Sequence, residues 1–177
     1  MRRMLWLYIA AALIGLALGG AFAWLSRPAP SAPGIEGASV GDPHPGFRHG
    51  GVDGEWVDAK DFADRLMLVN FWATWCAPCR REMPVLQAAS DRYAPDLAVV
   101  GLAIDDLAAV REFVTELDIQ YPIAAGNADV LATQRAWGNS AGALPYTVLV
   151  DRAGVIRWQH LGEVSAEQLD AALEAWL

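Results

Sequence analysis

"LMLVNFWATWCAPCRREMP", Leu66 to Pro84, runs an unbroken apolar stretch into the only two cysteines of the chain, Cys76 and Cys79. Leu66–Ala73 has strand length, β-rich composition and no regular polar alternation, which fits a strand buried on both faces. From Cys76 to about Ala89 the pattern turns helical, with Met83, Leu86 and Gln87–Ala89 at turn spacing. Pro84 lies inside this helix and is expected to bend it. Strand, cysteine turn and helix thus follow one another without a linker.

The flanking sequence repeats the theme. Leu97–Ile104, "LAVVGLAI", is a second buried strand. Asp105 and Asp106 then offer a cap for a helix whose apolar face is Val110, Phe113, Val114 and Leu117. Tyr121–Ala124 reads as a short strand and Asp129–Trp137 as a helix closed near Gly138. Thr147–Val150 and Val155–His160 flank "DRAG", Asp151–Gly154, the turn of an antiparallel hairpin. Ser165 with Gln168 forms a capping box, Val164 and Leu169 its hydrophobic staple, and Leu169, Ala172, Leu173 and Trp176 the buried stripe of a last helix. Phe47–Val57 reads as a small additional hairpin. A parallel β-α-β crossover followed by an antiparallel pair predicts an α/β fold: a mixed sheet with helices on both faces.

The 177 residues suit one domain plus a short appendage, and 54% hydrophobic residues with eight tryptophans supply a core. Met4–Leu25, "MLWLYIAAALIGLALGGAFAWL", has no charge over 22 residues, about 33 Å as a helix, enough to span a bilayer's hydrocarbon core. Arg2 and Arg3 before it hold the N-terminus in the cytoplasm, so the rest faces outward. Ala21-Phe22-Ala23 also fits a signal-peptide cleavage site, whereas continuation of the run through Trp24-Leu25 favours a retained anchor. Both readings export the domain. Residues 1–25 are therefore read as anchor or signal peptide, 26–45 as a Pro/Ala/Gly/Ser linker, and 46–177 as the folded domain. From Pro28 onward ten Lys/Arg face 21 Asp/Glu, a net charge of −11. That balance, with no basic cluster, argues against nucleic-acid binding.

Four chemistries compete for Cys76 and Cys79. A structural bridge over two intervening residues closes almost no loop and gains little. A zinc site needs four ligands, and beyond the pair the chain offers only His44, His49 and His160 without ligand spacing. Haem attachment requires histidine where Arg80 stands. Thiol-disulfide exchange fits the local physics: a cysteine at the start of a helix after a central strand feels unsatisfied N–H groups and the positive end of the helix dipole, which stabilise a thiolate. Cys79, one turn on, is placed to resolve a mixed disulfide formed at Cys76. Ala77 and Pro78 between them bring no charge or side-chain donor, which biases the pair toward reduction, and Pro78 restricts the turn.

"VNFWATWCAPCRREMP" closely resembles the thioredoxin-like, membrane-anchored reductases of the TlpA/ResA type, and the resemblance covers about Val40 to Leu177. "ALPYTVLVDRAGVI" looks like that family's cis-proline segment and hairpin, and "VDGEWV" like its N-terminal hairpin. The resemblance implies a thioredoxin fold with an added N-terminal hairpin and an insertion around Asp105–Gly126. It assigns Pro145 as the cis-proline and gives Leu144 and Pro145 the backbone groups that meet a substrate strand, with Tyr146 as a departure that alters the groove. Asn70 stands where thioredoxins carry a buried acid. An amide cannot titrate, and Glu82, matching the acid of CxxCxxE, is expected to take the proton-handling role. Trp72 and Trp75 are expected to shield the motif and shape the docking surface, with simple core packing an equal reading for Trp72.

The expectation is a membrane-tethered thiol-disulfide reductase on the periplasmic side of a bacterial inner membrane, using Cys76, Cys79 and Glu82 and contacting its substrate through Trp75, Ala77, Pro78, Leu144 and Pro145. No cofactor or metal is called for. The resemblance implies a disulfide-containing client protein and a membrane electron donor of the DsbD/CcdA type. Apocytochrome c, a copper-delivery protein and an oxidase subunit are the client classes. "WGNSAGALPY" replaces the "GVYGAPE"-like segment of the cytochrome-c-maturation subgroup and argues against, without removing, the first. The alternatives are an oxidase or isomerase of the same fold, or a copper or zinc carrier using the dithiol as soft ligands.

Overall fold

The computed structural model describes residues 37–177. The apolar run Met4–Leu25 and most of the expected linker lie outside the described residues. Among the described residues no helix is long and apolar enough to cross a membrane.

A small antiparallel hairpin, β1 (Arg48–Gly50) and β2 (Trp56–Asp58), leads through a 3-10 turn (Ala59–Phe62) into β3 (Leu66–Trp72). There follow α1 (Ala77–Arg92), β4 (Leu97–Ile104), α2 (Leu107–Glu116), β5 (Ile123–Gly126) and α3 (Ala128–Ala136). The chain closes with β6 (Tyr146–Val150), β7 (Ile156–Leu161) and α4 (Ala166–Leu173). The five-stranded sheet has the order β5-β4-β3-β6-β7, with β3, β4 and β5 parallel, β6 antiparallel to β3, and β7 antiparallel to β6.

Every residue of β3 is buried, because both faces of the sheet are covered. On one face Leu66, Leu68 and Trp72 pack with Cys79, Met83 and Leu86 of α1, Phe113 of α2 and Leu169 and Leu173 of α4. On the other, Met67, Val69 and Phe71 pack with Val57 of β2, Phe62 and the Val130 and Trp137 of the α3 region. This mixed sheet with helices on both faces and an N-terminal hairpin is the architecture the sequence predicted.

Boundaries moved where tertiary bonds outweigh local pattern. The α1 helix continues through Pro84 to Arg92, past the expected Ala89. The short strand expected at Tyr121–Ala124 lies at Ile123–Gly126, pairing in register with Gly101–Ile104. Of the two acids offered as a cap, Asp106 caps α2, accepting from the N–H groups of Ala108 and Ala109. Residues 38–44, read as linker, are bonded into the domain. Gly41 N–H donates to Ile156 and His44 N–H to Gly154, while Ile156 N–H donates back to Asp42. The physical reason is that the start of β7 would otherwise present unpaired backbone groups.

Candidate active site

The dithiol sits where β3 hands over to α1. Cys76 and Cys79 are joined as a disulfide. Cys76 occupies the N-cap itself, one position earlier than a first-turn residue, with extended backbone and its Sγ accepting from the Cys79 N–H at 3.3 Å. At an N-cap a side-chain acceptor meets orphan N–H donors and the positive end of the helix dipole, and a thiolate gains most from both. Cys76 is 6% exposed and Cys79 0%. Trp75, the residue before Cys76, is 69% exposed, so a bare indole precedes the sulfur that keeps an edge to solvent. Trp72 is buried instead, packed against the Phe113 ring at 5.4 Å; of the two tryptophans, only Trp75 presents a surface.

Glu82 lies on the same buried stripe of α1 as Cys79, Met83 and Leu86, and is 1% exposed. Its Oε1 accepts from Asn70 Nδ2 at 2.7 Å and its Oε2 from the Val164 N–H at 2.9 Å. Burial pushes its carboxyl up to about 7 against the downward pull of those two hydrogen bonds, with the Glu163 charge adding to the rise. The neighbouring arginines are engaged elsewhere: Arg81 pairs with Glu163 and Arg80 lies over the Phe113 ring at 4.9 Å. Asn70 is fully buried and spends its second amide hydrogen on Thr147 Oγ1 at 3.0 Å. The position that holds an acid in thioredoxins therefore holds the acid's hydrogen-bond donor here.

The peptide bond Leu144–Pro145 is cis. The antiparallel register of β3 with β6, ending at Phe71 opposite Tyr146, brings Pro145 to the end of β3 from which the cysteine turn departs. Pro145 is buried, Leu144 half-buried, and the Pro145 carbonyl accepts from the Gly162 N–H at 2.9 Å. Tyr146 points the other way. Its hydroxyl donates to the Trp137 carbonyl and its ring packs on Phe71 in the opposite core, so its side chain lies in the cluster that does not hold the dithiol. Ala77 is exposed and Pro78 half-buried in the first turn of α1. Among the described residues no group of three or more His, Cys, Asp or Glu side chains converges as a metal site.

A protein-family model for redoxins matches residues 39–175. The chain belongs to the redoxin family. Among curated relatives, the thiol-disulfide oxidoreductase ResA of Bacillus cereus is 30% identical over 141 residues, 78% of this chain and 79% of that one. The thioredoxin-like protein YneN of Bacillus subtilis is 31% identical over 142 residues, 78% and 81% of the two chains. A Chlorobium tepidum structure assigned provisionally to the DsbE thiol:disulfide interchange proteins superposes with a TM-score of 0.69 at 25% identity, covering 77% of this chain and 96% of its own. This redoxin is a ResA/TlpA-type thiol-disulfide oxidoreductase with a thioredoxin fold.

Three residues of this redoxin site escaped the sequence reading. Gln134 Nε2 and Asn139 Nδ2 both donate to the Ala143 carbonyl, at 3.0 and 2.7 Å, and so steady the segment that enters the Leu144–Pro145 bond. Both amides are buried, and burial of this kind is set by tertiary packing that the local sequence does not reveal. Asp105, read as a helix cap, turns instead to Thr74 in the cysteine turn.

Proposed function

We propose that this redoxin is an exported, membrane-tethered reductase of protein disulfides. One observation carries the proposal: the first sulfur lies at a helix N-cap with an edge to solvent, while the second is fully buried on the same helix, three residues before a buried carboxyl whose pKa is raised to about 7. In the reduced enzyme Cys76 thiolate attacks a client disulfide, forming a Cys76–client bond and expelling one client thiolate. Cys79 passes its proton to Glu82 and attacks Cys76 Sγ, closing the Cys76–Cys79 disulfide and expelling the second client thiolate. The client gains two electrons, and two protons complete its thiols. Trp75, Ala77 and Pro78 face it on one side and the Leu144–Pro145 backbone on the other. A membrane donor of the DsbD/CcdA type returns the two electrons, and the apolar run Met4–Leu25 supplies the tether in the inner membrane, with the domain on the periplasmic side.

Cys79→Ala, expressed as the full chain, should accumulate a client adduct that dithiothreitol releases and that Cys76→Ala/Cys79→Ala lacks. Absence of any such adduct overturns the assignment. The client recovered decides among apocytochrome c, a copper-delivery protein and an oxidase subunit. A reduction potential near that of thioredoxin, about −270 mV, supports the reductase, and one near about −120 mV supports an oxidase instead.

A further inference from the structure

The turn that delivers Cys76 is held by a carboxylate from the residue that follows β4. Ala73, Thr74 and Trp75 connect β3 to the N-cap, and the Cys76 N–H closes the turn on the Ala73 carbonyl at 3.1 Å. Both hydrogen-bond donors of Thr74, its N–H and its hydroxyl, go to Oδ2 of Asp105, at 3.0 and 2.6 Å. Asp105 is itself fixed: its Oδ1 accepts from the Asp106 N–H at 2.8 Å, and its own N–H donates to the Gly126 carbonyl at 3.2 Å. Because Asp106 caps α2, Asp105 is not needed there. Hydrogen bonds to an ionised acceptor are about twice as strong as neutral ones, so two converging on one residue make a firm clamp.

We propose that Asp105 is a positioning residue of the redox centre, fixing the Ala73–Cys76 turn through Thr74 in the reduced state. The proposal rests on the reading of Cys76 as the attacking thiol. In the oxidised chain the disulfide itself ties Cys76 to α1. Once that bond is reduced, the hold on the turn passes to the backbone bonds and to the Asp105–Thr74 pair. A turn held in place keeps the two sulfurs at high effective concentration and the first one aimed outward. Releasing it makes the disulfide harder to form and the attack slower.

The full-length chain and its Asp105→Ala, Asp105→Asn, Thr74→Val and Thr74→Ser variants are equilibrated with glutathione, and the reduced forms are timed against 5,5′-dithiobis(2-nitrobenzoate). Asp105→Ala should move the equilibrium about tenfold toward the dithiol, which is ~30 mV to more positive potential for a two-electron couple, and slow the attack. Thr74→Val should reproduce it, and the double variant should add nothing further, as expected for a shared interaction. Asp105→Asn keeps an acceptor oxygen and Thr74→Ser keeps the hydroxyl, so both should restore most of the loss. Wild-type equilibrium and rate in Asp105→Ala, additive effects, or failure of both conservative variants to restore would overturn the proposal. An unmodified chain that exchanges with neither reagent removes the thiol-exchange reading beneath it.

Discussion

At Glu82 the chain buries a carboxyl group that receives two N–H donors and, among the described residues, no ion pair. Its pKa is raised from 4.5 to about 7, chiefly by burial. A general acid–base group works best when its pKa lies near the operating pH, so the raised value suits the proton-handling role proposed for Glu82. The same rise has a thermodynamic sign. The folded state holds the Glu82 proton more tightly than the unfolded state does, so this group leaves stability intact below about pH 4.5 and erodes it as pH climbs through 7. The rise corresponds to about 3 kcal/mol once the group is fully ionised. In urea titrations across pH 4–9 the wild type should lose that amount relative to Glu82→Gln, most of it between pH 4.5 and 7.5; parallel curves would show that the carboxyl has the same pKa folded and unfolded. Glu82→Gln should also slow closure of the Cys76–Cys79 disulfide from a mixed disulfide by about a hundredfold, read by quenched-flow alkylation.

Between elements, the helix that completes the site is α4, and it reaches Glu82 through the residue just before its cap. Ser165 and Gln168 form the expected capping box, and Val164, its staple residue, donates the backbone N–H that Glu82 accepts. Ser165→Ala should cost about 1 kcal/mol in urea unfolding. It should also move the pH inflection of Cys79 reactivity upward, because a loosened Val164 N–H supports the carboxylate less well; an unmoved inflection would confine Ser165 to stability. These elements were legible because their signals are local: β3, the CxxC helix start, the capping box and the DRAG turn each sit within a few consecutive residues. The cysteine pair was legible for the same reason, whereas Glu82 was singled out only through the resemblance to a CxxCxxE motif. What the sequence hid are bonds that span the chain. Val164 meets Glu82 across 82 positions and Thr74 meets Asp105 across 31, and neither follows from periodicity. The strand shifted to Ile123–Gly126 belongs here too, since its limits are set by pairing with β4 rather than by its own composition.

For the molecule as a whole, the segment before the first hairpin decides where the fold begins. Residues 38–44 look like linker because Ser39, Gly41 and Pro43 punctuate them and no apolar period runs through them, yet composition cannot reveal that a neighbouring edge needs covering. The Ala38 N–H donates to the Ala136 carbonyl, Gln159 Nε2 donates to the Ala38 carbonyl, and three further backbone bonds tie Gly41, Asp42 and His44 to Gly154 and Ile156. The His44 ring packs on Trp137 at 5.3 Å. Gly138 makes room for this strap: its φ is +103°, and a Cβ there would stand 2.4 Å from the Ala38 carbonyl oxygen. Five hydrogen bonds at about 0.5–1.5 kcal/mol each predict that a chain starting at Gly46 is less stable than one starting at Gly37 by on the order of 3 kcal/mol. With the start of β7 uncovered, it should also associate through that edge. Gly138→Ala in the longer chain should reproduce part of the loss, since it obstructs the strap and adds strain at a left-handed position. Urea unfolding and light scattering of the three proteins make the comparison. Equal stability of the two starts would return residues 38–44 to the linker, whereas the predicted loss makes them the first structural segment of the redoxin domain.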